Sequence, residues 1–405
     1  MFTYHTKCRA CSSTDLTPVF DLGLQPPANE FRKAGDSRSG FFPLSVFFCP
    51  KCSLSQLSIV IEPETLYRNY LYTTSTSQTM RRHFERLFGD LASEGAGSTI
   101  VEIGSNDGLC LKFAKEHGWH GVGIDPAENL VPSAIENGIM PIPQFFNVAS
   151  AREAKEVFVP SVILARHCFA HADNWREWVE ALEVLAGTKT IIAIEVPYIH
   201  DLLSRTELDS IYHEHLSYVS LTAMFHLLRG SPFNIHRVIR YGIHGGSLLI
   251  MLRHKDSGIE PHLSADEYLA EEQVTVQHWE RFGIQATLNI EKLRELLVAA
   301  KNEGKRVCGF GASAKGTVWI NACGFTEKDL LFVSDNSPLK PGTLVPGTKI
   351  PVIDQGEFLS EHPDVALGWC WNFKSEVLQT QRKWLDRGGK FIWPTSGASI
   401  TYGKG

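Results

Sequence analysis

Apolar positions along this chain change period several times, and each change marks an element. Between Met80 and Ser93, Phe84, Leu87, Phe88 and Leu91 recur at three- and four-residue spacing, which predicts an amphipathic helix. The stretch GAGSTIVEIGSNDGLCLKFAKEHGWHGVGIDPAENL that follows reads as strand, glycine turn, helix and strand. Short apolar runs at Ser161–Ala165 and Thr190–Val196 predict two further strands, separated by an amphipathic helix over Asp173–Leu185. Alternation of this kind builds a parallel sheet covered by helices. The segment His236–Lys255 reads as an antiparallel pair closing that sheet.

The second half repeats the theme. From Ser264 to Asn302 the pattern is helical and charged on one face. RVCGFGASAKGTVWINACG (Arg306–Gly324) then starts a second strand, glycine loop and helix. Leu330–Ser337, Asp364–Phe373 and Lys390–Ser396 supply further strands. The predicted class is α/β: a Rossmann-like domain over 66–256, a second Rossmann-like domain over 257–405, and a small lobe over 1–65.

Charge narrows the function. Lys+Arg 39 against Asp+Glu 45 gives −6, which argues against a general binder of nucleic acid or membrane surfaces. No run of 18 apolar residues occurs, and MFTYHTKCRACSS lacks a hydrophobic signal core, so a cytoplasmic protein, monomeric or weakly associated, is expected. In that compartment cysteines serve as metal ligands or buried thiols rather than disulfides. Four of the nine form two pairs, Cys8-x2-Cys11 and Cys49-x2-Cys52, the thiolate set of a closed, structural zinc site. The 37-residue loop between the pairs should carry strands of its own.

Two glycine loops carry the binding chemistry. VEIGSNDG ends a strand with Glu102 and Gly104, and Gly108 enters the helix; Ser105 and Asn106 stand where a dinucleotide fingerprint needs its second glycine. An acid followed by a single-glycine loop suits S-adenosylmethionine (SAM), which has no phosphate, better than a nicotinamide cofactor. Asp125, ending the next strand, can accept hydrogen bonds from both ribose hydroxyls, and Gln144–Asn147 would lie near the adenine. The second loop, GFGASAKG, sets Ser313 and Lys315 at a helix start, which suits a phosphate of a nucleotide-linked substrate; a purely structural turn is the other reading. Asp335 ends a later strand where an acid could read a ribose, with Asn336 and Lys340 beyond it.

Tyr212-His213-Glu214-His215 crowds four polar residues together. A metal site and a surface turn are the bland explanations. A base near neutrality with neighbours that stabilise an enolate is the sharper one. His215 has the ordinary imidazole range near 6.5. Glu214 could hold a tautomer or a substrate hydroxyl, and Tyr212 or His171 could donate to the enolate oxygen. His213 is assigned no chemistry. Tyr198 and Trp371 read either as pocket or as core, and His244 of HGGS either as a substrate contact or as a strand-turn residue.

The order of features, CxxC…CxxC, VEIGSNDG, EVPY, YHEH, HGGS, GASAKG and WNF, resembles the deoxysugar C-methyltransferases that act on nucleotide-linked 4-ketosugars, over essentially the whole chain. The resemblance implies a zinc-binding N-terminal domain, a SAM-binding central domain and a Rossmann-like C-terminal domain, with the substrate between domains. It makes His215 the base, with Tyr212 and Glu214 beside it, His171 a second active-site histidine, and Tyr72 of YLYTT, in preference to Tyr70, a further active-site tyrosine. Ala170 stands where methyltransferases at large often carry a glutamate. The cofactor contacts would be Glu102, Gly104, Asn106, Gly108, Asp125 and Asn147; the sugar nucleotide, dTDP- or GDP-linked, would meet Tyr198, His244, Ser313, Lys315 and Asn372. The expected reaction is C3-methylation of an NDP-4-keto-6-deoxyhexose through an enolate. C5-methylation, an O- or N-methyltransferase on a similar sugar, and a SAM-sensing binding protein are the alternatives.

Overall fold

A computed structural model describes residues 1–36, 40–71, 78–394 and 399–402. The chain divides into two compact units that interleave in sequence. The first comprises Met1–Pro18, Phe47–His200 and Leu216–Thr275, the second Val19–Val46, Asp201–His215 and Val276–Gly405. No helix among the described residues is long and apolar enough to cross a membrane.

The first unit is built on a seven-stranded sheet. Its strands are β1 (Thr99–Ile103), β2 (His120–Ile124), β3 (Met140–Ile142), β4 (Val162–Arg166), β5 (Ile191–Pro197), β6 (Phe233–Tyr241) and β7 (Ser247–His254). Their order is β6-β7-β5-β4-β1-β2-β3. The first five run parallel, and β7 pairs antiparallel with both β5 and β6. Ile-Val-Glu-Ile of β1 and Ile191–Val196 of β5 are buried throughout, as strands covered on both faces must be. The predicted amphipathic helix is α1 (Gln78–Ser93); Phe84, Leu87, Phe88 and Leu91 pack into the core with Ile100, Leu111 and Phe113. Helices α2 (Leu109–Glu116), α3 (Val148–Val157) and α4 (Trp175–Leu185) follow β1, β3 and β4; α2 and α4 lead to the parallel neighbours β2 and β5, whereas α3 carries the chain from the edge strand β3 past β2 and β1 to β4.

In the second unit, β8 (Val307–Phe310), β9 (Val333–Asp335), β10 (Val352–Asp354), β11 (Val365–Gly368), β12 (Lys390–Trp393) and β13 (Ser399–Tyr402) form a sheet of order β10-β9-β8-β11-β12-β13. All its neighbours are parallel except the β12–β13 pair. Aromatic rings fill one side, Phe310, Phe358, Trp384, Phe391 and Trp393 lying in mutual contact. The long α5 (Val276–Asn302) precedes β8, and α6 (Ala314–Ala322) follows its glycine loop.

The loop between the cysteine pairs does carry strands, at Thr17–Gln25, Arg32–Lys33 and Phe42–Phe48. Its middle, Val19–Val46, belongs to the second unit. Phe20 packs on Trp279 and Phe282 of α5, and Arg32–Lys33 pairs with Thr343–Leu344.

Candidate active site and zinc lobe

Each CxxC pair folds as a tight knuckle. Ser12 N–H donates to Cys8 O and Ser53 N–H to Cys49 O, and both serines adopt a left-handed φ of 59°. The four sulfurs lie within 4.8 Å of one another, with Cys8–Cys52 at 3.4 Å and Cys11–Cys49 at 3.6 Å. A tetrahedron with Zn–S bonds near 2.3 Å has edges of about 3.8 Å, so the four thiols fit the ion with little movement. Among the described residues this is the single cluster of three or more His, Cys, Asp or Glu groups with metal-holding geometry, so the metal reading of YHEH has no geometric support there. Arg9, inside the first knuckle and 4% exposed, donates to Leu57 O and Leu216 O and pairs with Asp173, which fastens the knuckle to its own unit.

The first glycine loop turns through left-handed conformations and packs closely on neighbouring side chains. Gly104 has φ 71°, and a Cβ there would stand 2.7 Å from Cys168 Cβ. Gly108 has φ 78°, and its Cβ would meet Ile139 Cγ1 at 2.8 Å. Asn106, between them, also has a positive φ of 52°, and its N–H donates to Asp125 Oδ2 at 2.8 Å. Asp125 Oδ1 accepts from Ala127 N–H at 2.9 Å. A carboxylate has about four lone-pair directions, so two remain for hydroxyls. Burial pushes Asp125 up, even though both backbone bonds favour its charged form. Glu102 is fully buried and takes two bonds from Arg166, at 2.7 and 3.1 Å. Burial raises its carboxyl against the pull of that guanidinium. Asn147 is the N-cap of α3, its Oδ1 accepting from Ala149 and Ser150 N–H, which gives it a structural task beside the expected cofactor contact. A positive-φ loop at Gly104, Asn106 and Gly108, with Asp125 and Glu102 at the ends of the flanking strands, fits SAM.

Behind this loop lies a network that sequence reasoning missed. Glu195, fully buried on β5, meets His83 of α1 at 2.9 Å and His167 at 3.4 Å. Burial would raise Glu195, but the bonds and charges of His167 and His83 outweigh it and hold the carboxyl below its usual range. His171 closes the short turn Phe169–His171 and stacks on Tyr67 at 5.7 Å. Burial, then the neighbouring His167, lowers it to about 4, so it is neutral at physiological pH. Tyr198 is 3% exposed and stacks on His200 at 5.6 Å. Tyr72 lies outside the described residues, as does the side chain of His244, whose backbone sits in the turn Ile243–Gly245.

In the second unit YHEH is a turn, with His215 N–H donating to Tyr212 O at 2.9 Å. His215 Nδ1 lies 2.7 Å from Ser210 O, and a carbonyl only accepts, so Nδ1 carries the proton. Nε2 is then the basic nitrogen, 2.7 Å from Tyr212 Oη, which donates to it. Asn29 Nδ2 donates to both oxygens of the buried Glu214, at 2.8 and 2.9 Å. His213 is buried against Pro43 O and the Phe42 ring, and burial lowers it to about 4, which suits a packing residue. Ser313 is the N-cap of α6, accepting from Gly316 N–H. Lys315 bonds to Asp209 Oδ1 at 3.1 Å and Ser210 Oγ at 2.9 Å. Lys340 is buried, donates to Ala312 O at 2.7 Å and faces Asp335 at 3.9 Å. Asn372 occupies the turn Trp371–Phe373, and Trp371 Nε1 donates to Asp209 Oδ2 at 2.6 Å.

A knuckled zinc lobe with a SAM-type loop defines a SAM-dependent methyltransferase with a structural metal site. Three family models match in series: "Putative zinc binding domain" over residues 8–67, "Methyltransferase domain" over 72–238 and "C-methyltransferase C-terminal domain" over 242–395. C-methyltransferase NovU of Streptomyces niveus is 32% identical over 399 residues, covering 96% of this chain and 95% of that protein. The chain belongs to this C-methyltransferase family. Solved structures to which part of the chain is similar include the N-methyltransferase NodS of Bradyrhizobium japonicum WM9 in complex with S-adenosyl-l-homocysteine (12% identity, 45% of this chain and 90% of that one, TM-score 0.35). Magnesium protoporphyrin IX methyltransferase of Synechocystis PCC 6803 is similar at 12% identity, covering 44% of this chain and 83% of that one, with a TM-score of 0.35.

Proposed function

We propose that this C-methyltransferase adds its methyl group to C3 of a nucleotide-linked 4-keto-6-deoxyhexose, through an enolate formed by His215. The observation that carries the reading is the bond chain Ser210 O···H–Nδ1 His215 Nε2···H–O Tyr212, which commits one imidazole nitrogen to a carbonyl and leaves the other basic. Carbon next to a ketone becomes nucleophilic only once its proton is removed, so a fixed neutral imidazole is the group such chemistry needs.

With substrate present, the Tyr212 hydroxyl turns from Nε2 to the C4 oxygen, and the freed Nε2 takes the C3 proton. Negative charge moves to that oxygen, where Tyr212 stabilises it. Glu214, oriented by Asn29, accepts from a sugar hydroxyl. SAM, when bound, would supply an electrophilic methyl group, its ribose held by Asp125 beside the loop of Gly104, Asn106 and Gly108. Tyr72, His171, Tyr198, His244, Ser313 and Asn372 are the further contacts in this proposal. Lys315 is engaged by Asp209, so it would meet a diphosphate only by sharing its donors.

Product analysis tests the reaction. Incubation of dTDP- and GDP-4-keto-6-deoxyhexoses with enzyme and SAM should give a methyl singlet on a quaternary C3 in the proton NMR spectrum. A methyl resonance at C5, or at an O- or N-methyl shift with both ring protons intact, would replace C3-methylation with the corresponding alternative.

A further inference from the structure

We propose that Asp209 is a positioning residue for His215, a clamp that fixes the carbonyl on which the imidazole tautomer depends. This rests on the reading of His215 as the base. Asp209 lies in the short turn Leu208–Ser210 and is 1% exposed. A carboxylate so deeply buried persists only with donors around it, and three converge. Lys315 Nζ meets Oδ1 at 3.1 Å, while the indole N–H groups of Trp319, at 3.0 Å, and Trp371, at 2.6 Å, both meet Oδ2. Lys315 also lies over the Trp371 ring at 4.8 Å. The lysine and Trp319 belong to α6, and Trp371 lies in the turn after β11, so the Asp209 turn is pinned to two elements of the second unit.

The clamp acts through the next residue. Ser210 Oγ accepts from Lys315 at 2.9 Å and faces Glu207 Oε2 at 3.4 Å, while its carbonyl receives the His215 Nδ1 proton at 2.7 Å. Asp209 and Lys315 therefore hold the residue before Ser210 and the Ser210 side chain, and through them the direction of the carbonyl that orients the base. No shorter route from these donors to His215 is needed, because Tyr212 and His215 close the turn on themselves.

An amide cannot replace this carboxylate. In Asp209→Asn, one orientation aims Nδ2 at the Lys315 ammonium, and the flipped one aims it at two indole N–H groups. Donor faces donor either way, so Ser210 loses its fixed direction. The test combines turnover, SAM affinity and long-range ¹H–¹⁵N correlation of the His215 ring, assigned by its disappearance in His215→Asn. In the wild-type enzyme the account expects an Nδ1–H, Nε2-basic pattern. In Asp209→Asn it expects averaged nitrogens from mixed tautomers and a fall in kcat of about 10–100-fold, since a misset imidazole tautomer alone can cost more than that. SAM affinity stays unchanged. Unchanged ring shifts and turnover in Asp209→Asn would overturn the clamp, whatever His215 does. A His215→Asn enzyme that keeps its turnover overturns the base reading instead. If Asp209→Asn does not fold, Trp371→Phe, which removes one donor, decides: a smaller change in the same two readouts supports the clamp, and none overturns it.

Discussion

His215 is chemically defined by what its two nitrogens touch, and both contacts come from within six residues. Its substitution by asparagine removes the base without adding bulk. The account predicts a fall in kcat of about 10²–10⁴-fold, the usual worth of a general base, with SAM binding unchanged in calorimetry. The local part of this site was readable in the sequence, because Tyr212, Glu214 and His215 sit side by side. Their orienting partners were not. Asn29 lies 185 residues from Glu214, and Lys315, Trp319 and Trp371 lie over a hundred residues from Asp209. Asp209 passed unnoticed for that reason. A lysine at a helix start suggests a phosphate contact from sequence, and its bonds to Asp209 and Ser210 become visible only in the fold.

At the scale of elements, strand–loop–helix units follow directly from apolar period and glycine placement, and both glycine loops fall where the pattern put them. Gly104→Ala should cost about 1–3 kcal/mol of stability and weaken SAM binding, since the side chain would meet Cys168 in a left-handed conformation. Thermal melts with and without SAM measure both effects. The zinc knuckles were equally legible, two CxxC pairs being a strong signal. Cys52→Ser should lose the bound zinc by elemental analysis and lower the melting temperature, about 2–4 °C for each kcal/mol lost. Full zinc content in that variant would remove Cys52 from the ligand set. Hidden from the sequence was the division of labour in the loop between the pairs, because Phe20 and Asn29 find their partners far along the chain.

For the whole molecule, buried charge sets the pH response. Burial raises Glu207 to about 7, with the charges of Asp209 and Asp201 adding to it against the pull of Lys315 and Arg205. A raised carboxyl favours the folded state in its protonated form. Its contribution is therefore complete below the ordinary value near 4.5 and lost as pH rises through about 7. Glu207→Gln, which keeps the shape, should match wild type in urea unfolding at pH 4.5 and exceed it at pH 8 by about 1–3 kcal/mol. Equal stability at pH 8 would mean that the carboxylate finds better solvation than its burial implies. The central claim concerns carbon acidity, and solvent exchange measures that most directly. A 4-keto-6-deoxyhexose nucleotide is incubated in D2O with S-adenosylhomocysteine and enzyme, and the C3 proton is followed by NMR beside an enzyme-free control. The account predicts enzyme-dependent loss of the C3 signal with wild type and none with His215→Asn. Exchange that persists unchanged in the variant, or, once SAM replaces S-adenosylhomocysteine, methylated product formed with the C3 proton intact, would contradict it.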